Sequence, residues 1–290
     1  EEYTAAHAHT WGGPEEPRWY NAALRQYPLE HGERQRGRRV LVTGGTGGIG
    51  FFAAKLLAAI GLIVILPARP QLEFEARGAA AAIRASLPKA VVEVPEVPLD
   101  LSSFASVREF SAHMREQGGA IDVLCLNAGR GGGVRDPRET TVDGREAVMQ
   151  VNLLSHALLV HELLPSLRAS AHARIVVHTD LARNHVHESA LADLEGQRYT
   201  ASPWQQYALS KAALCLLVRA LNQKRLAEAQ VHGAAVVADP GLAATGLSYQ
   251  NDLVAALGLS RRGFSDTRAF LDAHSAHAAD GALPLVMACL

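Results

Sequence analysis

Val40-Leu41-Val42-Thr43-Gly44-Gly45-Thr46-Gly47-Gly48-Ile49-Gly50 decides the fold. A β-branched apolar run enters a glycine cluster, and Phe51-Phe52-Ala53-Ala54-Lys55-Leu56-Leu57 leaves it with a helical pattern. Strand, turn and helix in that order cradle a dinucleotide pyrophosphate. Gly44 allows the sharp turn, Gly48 lets the backbone approach the phosphates, and Gly50 lets helix and strand pack closely. The phosphates then lie at a helix N-terminus, where unpaired N–H groups and the helix dipole favour anions. A glycine-rich loop with no ligand has the same local look, so the rest of the chain has to decide.

Outward from the turn, apolar strand-like runs recur at Val40–Val42, Leu62–Leu66, Val91–Val97, Val123–Leu126, Ile175–Val177 and Ala234–Val237. Helical stretches alternate with them over 48–60, 73–86, 103–117, 140–168, 203–229 and, raggedly, 268–290. Strands apolar on both faces, separated by helices, predict an α/β fold: one Rossmann-type, doubly wound parallel sheet with helices on both faces.

A chain of 290 residues with 48% hydrophobic residues affords a large core. The formal net charge of -1 supplies no basic field for nucleic acid. The three cysteines are scattered without metal-ligand spacing, which points to a soluble protein of a reducing compartment and to no metal. His185 and His187 lack a convincing third ligand. The longest apolar run, Leu56 to Leu66, is too short to span a bilayer. The chain starts at Glu1 without methionine; a removed mitochondrial or chloroplast transit peptide and a shortened chain both explain that.

Residues 1–38 differ from the rest, with Pro14, Pro17 and Pro28, the aromatics Trp11, Trp19 and Tyr20, and a basic end. No helical or strand period holds there for long. A solvated tail is one reading. The other is an extension or partner-binding arm whose aromatics anchor onto this or another protein. The division is thus 1–38 as that extension and 39–290 as the dinucleotide-binding domain.

Arg69 follows the second strand, where the adenosine ribose is bound in this fold. A guanidinium there pairs with a 2′-phosphate and favours NADP(H) over NAD(H), unless Arg69 is an ordinary surface residue. Asp100, after the third strand, accepts from the adenine amino group or caps the helix opening at Ser102-Ser103. Asn127-Ala128-Gly129 leaves room for a flat cofactor against the backbone. Tyr207 and Lys211, four apart, share one helix face. A phenol titrates near pH 10, and a nearby cation lowers that value towards the range of acid–base chemistry.

From Val40 onward the chain resembles a short-chain dehydrogenase/reductase. The resemblance rests on Thr43-Gly44-x-x-x-Gly48-Ile49-Gly50, Asp100-Leu101, Asn127-Ala128-Gly129, Val151-Asn152, Tyr207-x-x-x-Lys211 and Pro240-Gly241 with Thr245. The stretch with Asp193-Leu194 and Trp204-Gln205-Gln206-Tyr207 resembles the retinol-dehydrogenase-like and protochlorophyllide-reductase-like branches. The resemblance implies that Tyr207 exchanges a proton with the substrate oxygen, Lys211 lowers its pKa and holds the nicotinamide ribose, and Asn152 positions a relay water. It also implies a cofactor site of Gly44, Thr46, Gly48, Ile49, Gly50, Arg69, Asp100, Leu101, Asn127, Ala128, Gly129, Lys211, Pro240, Gly241 and Thr245. Gly246 to Ser265, rich in leucine, is the expected substrate lid and implies an apolar substrate.

Two departures stand out. Arg174-Ile175-Val176-Val177-His178-Thr179-Asp180 matches a family segment that ends in the catalytic serine, so Asp180 takes that place. An ionised aspartate cannot donate to a developing alkoxide, repels it, and raises the pKa of Tyr207. The chain also stops at Leu290, before the last C-terminal elements of relatives. Two functions remain open: an NADP(H)-dependent oxidoreductase interconverting carbonyl and alcohol on an apolar substrate, or a catalytically impaired subunit of a larger complex, which keeps the fold with or without a bound cofactor.

Overall fold

The computed structural model describes residues 19–132, 137–194, 202–245 and 275–290. The proposed lid, Trp11 and most of the proline-rich start lie outside the described residues.

Six parallel strands form the sheet in the order β3-β2-β1-β4-β5-β6. They are β1 Arg39–Val42, β2 Ile63–Ile65, β3 Val92–Glu93, β4 Val123–Leu126, β5 Ala173–His178 and β6 Gly233–Ala238. The chain reverses its direction of travel across the sheet between β1 and β4, which opens a crevice at the carboxyl ends of those strands. All four residues of β4 are buried, as a strand covered on both faces requires.

Helices cover both faces. On one side lie α1 (Tyr20–Gln35) and α2 (Gly48–Ile60), and on the other α4 (Phe104–Gln117); α3 (Glu73–Ser86) lies between α2 and α4 in the chain. The expected helix over 140–168 is broken into pieces. Thr140 instead bridges Glu146 in an antiparallel pair. The buried Glu146 carboxylate then caps α5 (Ala147–Met149) by accepting from Val148 N and Met149 N. A π-helical turn, Gln150–Leu154, leads into α6 (Ser155–Glu162), and Pro165 opens a separate α7 (Leu164–Arg168). Next comes α8 (Pro203–Ala220), opened by a capping box of Ser202 and Gln205. Another π turn, Leu221–Arg225, ends in α9 (Leu226–Glu228). Two short helices, α10 (Ala278–Gly281) and α11 (Leu283–Cys289), finish the chain.

Residues Tyr20–Gln35 are helical although no helical period marks them in the sequence. Helix α1 buries Tyr20, Ala23, Gly32 and Gln35. Two of these carry little or no apolar side chain, so no hydrophobic stripe marks the helix in the sequence. Contact is close instead: a Cβ at Gly32 would lie 3.3 Å from Ile60 O. Tyr20 anchors the helix onto its own domain. Its hydroxyl donates to Phe52 O at 2.6 Å, and Asp280 Oδ1 accepts from the N–H groups of Trp19 and Tyr20 at 2.9 and 2.8 Å.

Candidate active site

The glycine turn is held by backbone sterics. Gly44 has φ +64°, and a Cβ on it would lie 2.9 Å from Ala128 Cα. A Cβ on Gly50 would lie 2.2 Å from Gly44 O and 2.4 Å from Asn127 Nδ2. That side-chain amide donates to Thr43 O at 2.9 Å and to Gly44 O at 3.3 Å, so the exit of β4 holds the exit of β1. No side chain caps the N-terminus of α2, and Gly47 precedes it in extended conformation.

Beside this turn lies a cavity of about 630 Å³. Gly44, Thr46, Arg69, Asp100, Leu101, Ala128 and Gly129 line it, so seven of the expected cofactor residues converge on one space. Ile49 is instead buried, 3.5 Å from where a Cβ of Gly281 would lie. Gly48 backs onto Thr245, whose Cγ2 would lie 3.6 Å from a Cβ built on the glycine. Asp100 Oδ1 accepts from Ser102 N and Ser102 Oγ at 2.8 and 2.6 Å, closing an Asx turn, while Ser103 is the helix cap. Arg69 Nη2 donates to Glu75 Oε2 at 3.0 Å and its side chain is 65% exposed.

The second half of the site is built where β5 ends and α8 passes. Tyr207 and Lys211 are both buried on α8. Lys211 Nζ lies 5.5 Å from the Tyr207 ring centroid and donates to His178 O at 3.1 Å. The Tyr207 hydroxyl donates to Asp180 Oδ2 at 3.0 Å, and Asp180 Oδ1 accepts from Ala182 N at 2.7 Å. Arg183 Nη1 donates to Asp180 O at 2.9 Å and is ion-paired with Asp239. Asp239 Oδ1 also accepts from Gly241 N at 3.0 Å, which sets the Pro240-Gly241 turn.

Asp180 acts on Tyr207 in the direction its charge predicts. Burial first, then the charge of Asp180 and its hydrogen bond, then Asp239, push the Tyr207 hydroxyl well above the usual phenol range. Burial brings Lys211 down to about 8, against the upward pull of Asp180 and Asp239.

Asn152 sits in the π turn, fully buried. Its side chain is a clamp: Oδ1 accepts from Arg130 N at 2.7 Å, and Nδ2 donates to Arg130 O at 3.0 Å and Ser210 Oγ at 2.9 Å. Ser210 Oγ in turn donates to Tyr207 O at 2.7 Å.

Three residues were not singled out from the sequence as site residues. His178 Nδ1 lies 2.8 Å from Asn127 Oδ1, so Lys211, His178, Asn127 and Gly44 form one hydrogen-bonded path from α8 to the glycine turn. Thr43 Oγ1 accepts from Asn127 N and Ala128 N, both at 3.0 Å. Both lone pairs are then used, and its proton faces Cys125 O at 3.4 Å and His156 Nε2 at 3.1 Å. A carbonyl can only accept, so His156 Nδ1–H donates to Asn152 O, 2.9 Å away, and the neutral ring leaves Nε2 as an acceptor towards Thr43. Burial, the largest cause, lowers the His156 pKa to about 4, so the ring is neutral, as this pattern demands. The available signal was spacing: His156 follows Asn152 by four.

Among the described residues, no helix is long and apolar enough to cross a membrane. The chain is 37% identical to polyprenol dehydrogenase of Mus musculus over 217 residues, 73% of this chain and 62% of the mouse protein. It is 37% identical to retinol dehydrogenase 13 of Homo sapiens over 188 residues, 65% of this chain and 54% of the human protein. The chain thus spans less than two thirds of either relative. A crystal structure of an uncharacterized protein from Mycobacterium paratuberculosis superposes with TM-score 0.60 at 32% identity, over 74% of each chain. The family model described as short chain dehydrogenase matches residues 38–189. That match covers just over half of the 290 residues, and the chain belongs to the short chain dehydrogenase family, in its retinol-dehydrogenase-like branch.

Proposed function

We propose that the chain is an NADP(H)-dependent oxidoreductase that interconverts a carbonyl and an alcohol on an apolar substrate. The observation that carries this reading is the path Lys211–His178–Asn127–Gly44, which ties the buried Tyr207/Lys211 pair to the glycine turn. Two relatives are named for polyprenol and retinol, and their names support an apolar alcohol as substrate.

The residues fit a dinucleotide. Gly44, Gly48 and Gly50 with the N-terminus of α2 receive the pyrophosphate, Thr46 and Ala128-Gly129 flank it, and Ile49 packs behind the turn against Gly281. Asp100 and Leu101 face the adenine, and Arg69 the 2′-phosphate. Pro240, Gly241, Thr245 and Lys211 border the nicotinamide. Bound there, the reduced cofactor supplies the hydride. Tyr207 gives its proton to the carbonyl oxygen, Lys211 holds the ribose, and Asn152 fixes the backbone of Arg130 and the seat of Ser210.

Asp180 favours a second reading, a catalytically weakened subunit, because it engages the proton that Tyr207 has to transfer. The two separate experimentally. Purified protein should oxidise NADPH with an apolar ketone or aldehyde, and Tyr207→Phe should lower that rate by ~10²–10⁴. Asp180→Ser should raise it, since one donor to the developing oxyanion is worth roughly 2.7–4 kcal/mol. A rate indifferent to Tyr207→Phe defeats the catalytic reading.

A further inference from the structure

Asp180 turns the polarity of the reacting position around. Its Oδ2 accepts from Tyr207 at 3.0 Å, and its Oδ1 is fixed by Ala182 N at 2.7 Å, so the carboxylate is rigidly presented beside the phenol. The neighbouring cations make their hydrogen bonds to groups other than this carboxylate, although the charge of Lys211 still acts on it. Arg183 is paired with Asp239, and Lys211 Nζ donates to His178 O. Asp239 adds a second negative charge that acts on both Tyr207 and Lys211. A substrate group at this position therefore meets a carboxylate acceptor rather than a serine-like hydroxyl donor.

The sign of the charge at the reacting atom then decides which electrophile suits the site. Hydride addition to a neutral carbonyl builds negative charge on oxygen, next to a carboxylate that repels it. Hydride addition to a protonated C=N consumes a positive charge, and the N–H of that cation can donate to Asp180. The step balances without a proton from the protein. The cationic carbon takes a hydride, with its two electrons, from the reduced nicotinamide; a C–H bond forms, and the π pair of C=N moves to nitrogen. The products are a neutral amine and an oxidised nicotinamide. A phenol whose proton is already engaged by Asp180 is a poorer acid towards a developing alkoxide, whereas the reduction of a protonated C=N asks no proton of it.

We infer that Asp180 makes the site selective for a protonated C=N group on an apolar substrate over a C=O group of the same shape. The inference rests on the oxidoreductase reading above and names its electrophile.

The test uses the full chain at neutral pH and two readouts. In the first, without cofactor, calorimetry compares tetrahydroisoquinoline, cationic at this pH, with the neutral tetralol of similar size. The wild type should bind the cation, and Asp180→Asn and Asp180→Ser should weaken it roughly 10- to 100-fold, the worth of a hydrogen bond to a charged group, with tetralol unaffected. In the second, NADPH oxidation is followed with dihydroisoquinoline and with tetralone. The wild type should prefer the imine, Asp180→Ser should prefer the ketone, and Tyr207→Phe should lose ketone reduction while keeping imine reduction. Failure of the wild type to bind the ammonium, equal binding by Asp180→Asn, or a wild-type preference for the ketone overturns the inference. If the wild type binds NADPH and prefers the ketone, the oxidoreductase reading stands and this inference alone falls. If no dinucleotide binds, both fall.

Discussion

The glycine turn and the end of β5 stand at the same edge of the sheet, and they are fixed by opposite means. At the turn, the constraints are steric. Gly44 packs on Ala128 and Gly50 on Gly44 O with no space for a Cβ. At the end of β5, the constraints are polar. Asp180, Arg183 and Asp239 are linked to one another and to Tyr207 by hydrogen bonds and charge. The steric half rests on glycines, whereas the polar half rests on the ionisable groups Asp180, Arg183 and Asp239. Backbone contacts of this kind tolerate almost no substitution, but a change of charge leaves the fold standing and alters only what the site can stabilise. Binding and chemistry can therefore part company in one crevice.

The sharpest way to break this contrast is Gly50→Ala. The added methyl would sit 2.2 Å from Gly44 O, so the turn has to move. We expect dinucleotide affinity to fall by at least ~100-fold and the melting temperature to drop, as overpacking of a tight contact typically costs about 1–3 kcal/mol before any binding effect. Fluorescence titration with NADPH and a thermal melt check both. Wild-type affinity in this variant would mean that the turn is not the phosphate site.

A smaller effect probes how the halves are joined. His156 is 1% exposed, and burial lowers its pKa to about 4 from an unfolded value near 6.5. The unfolded chain therefore binds this proton more readily between those values. The stabilisation is present at pH 7 and is lost as pH falls through that window, by on the order of 3 kcal/mol at pH 4. Denaturant unfolding at pH 7 and pH 4.5 should show the loss. His156→Gln, which cannot gain charge, should flatten that part of the pH dependence even if it is less stable at pH 7. An unchanged pH slope in the variant would remove His156 from the link between Thr43 and Asn152.

What could be read from the sequence followed the punctuation of the chain. The helices over 48–60 and 73–86 and the strand Val123–Leu126 appear where periodicity placed them, with Gly61 as a left-handed cap on the first. Strand β3 shrinks from the expected Val91–Val97 to Val92–Glu93 because Pro95 has no N–H for the ladder. Helix α1 was hidden because it packs through Gly32 and Ala23. In the site, the Tyr207/Lys211 spacing showed a shared face directly. The bond between Thr43 and His156 spans 113 positions, and no local pattern encodes such a pair. The raised Tyr207 pKa follows from burial and Asp180 together, and only the second was visible in residue types.

The smallest effect tests whether the nucleotide end also carries a charge decision. Arg69 borders the cavity while its guanidinium is paired with Glu75 at 3.0 Å, with 65% of the side chain exposed. An exposed pair of this kind is worth about 0–1 kcal/mol, so a phosphate can displace the carboxylate at little cost. Glu75→Gln should therefore free the guanidinium and tighten NADP(H) binding by a few-fold, with NAD(H) unchanged. Arg69→Ala should act the other way and cut the ratio of NADP(H) to NAD(H) affinity by ~10-fold, the loss of a charge-assisted contact. Neither variant should move the melting temperature appreciably, because neither touches the core. Titration of both dinucleotides against the two variants separates the outcomes. If Arg69→Ala leaves the ratio unchanged, the guanidinium belongs to the surface of α3 alone, and the nucleotide end is steric throughout.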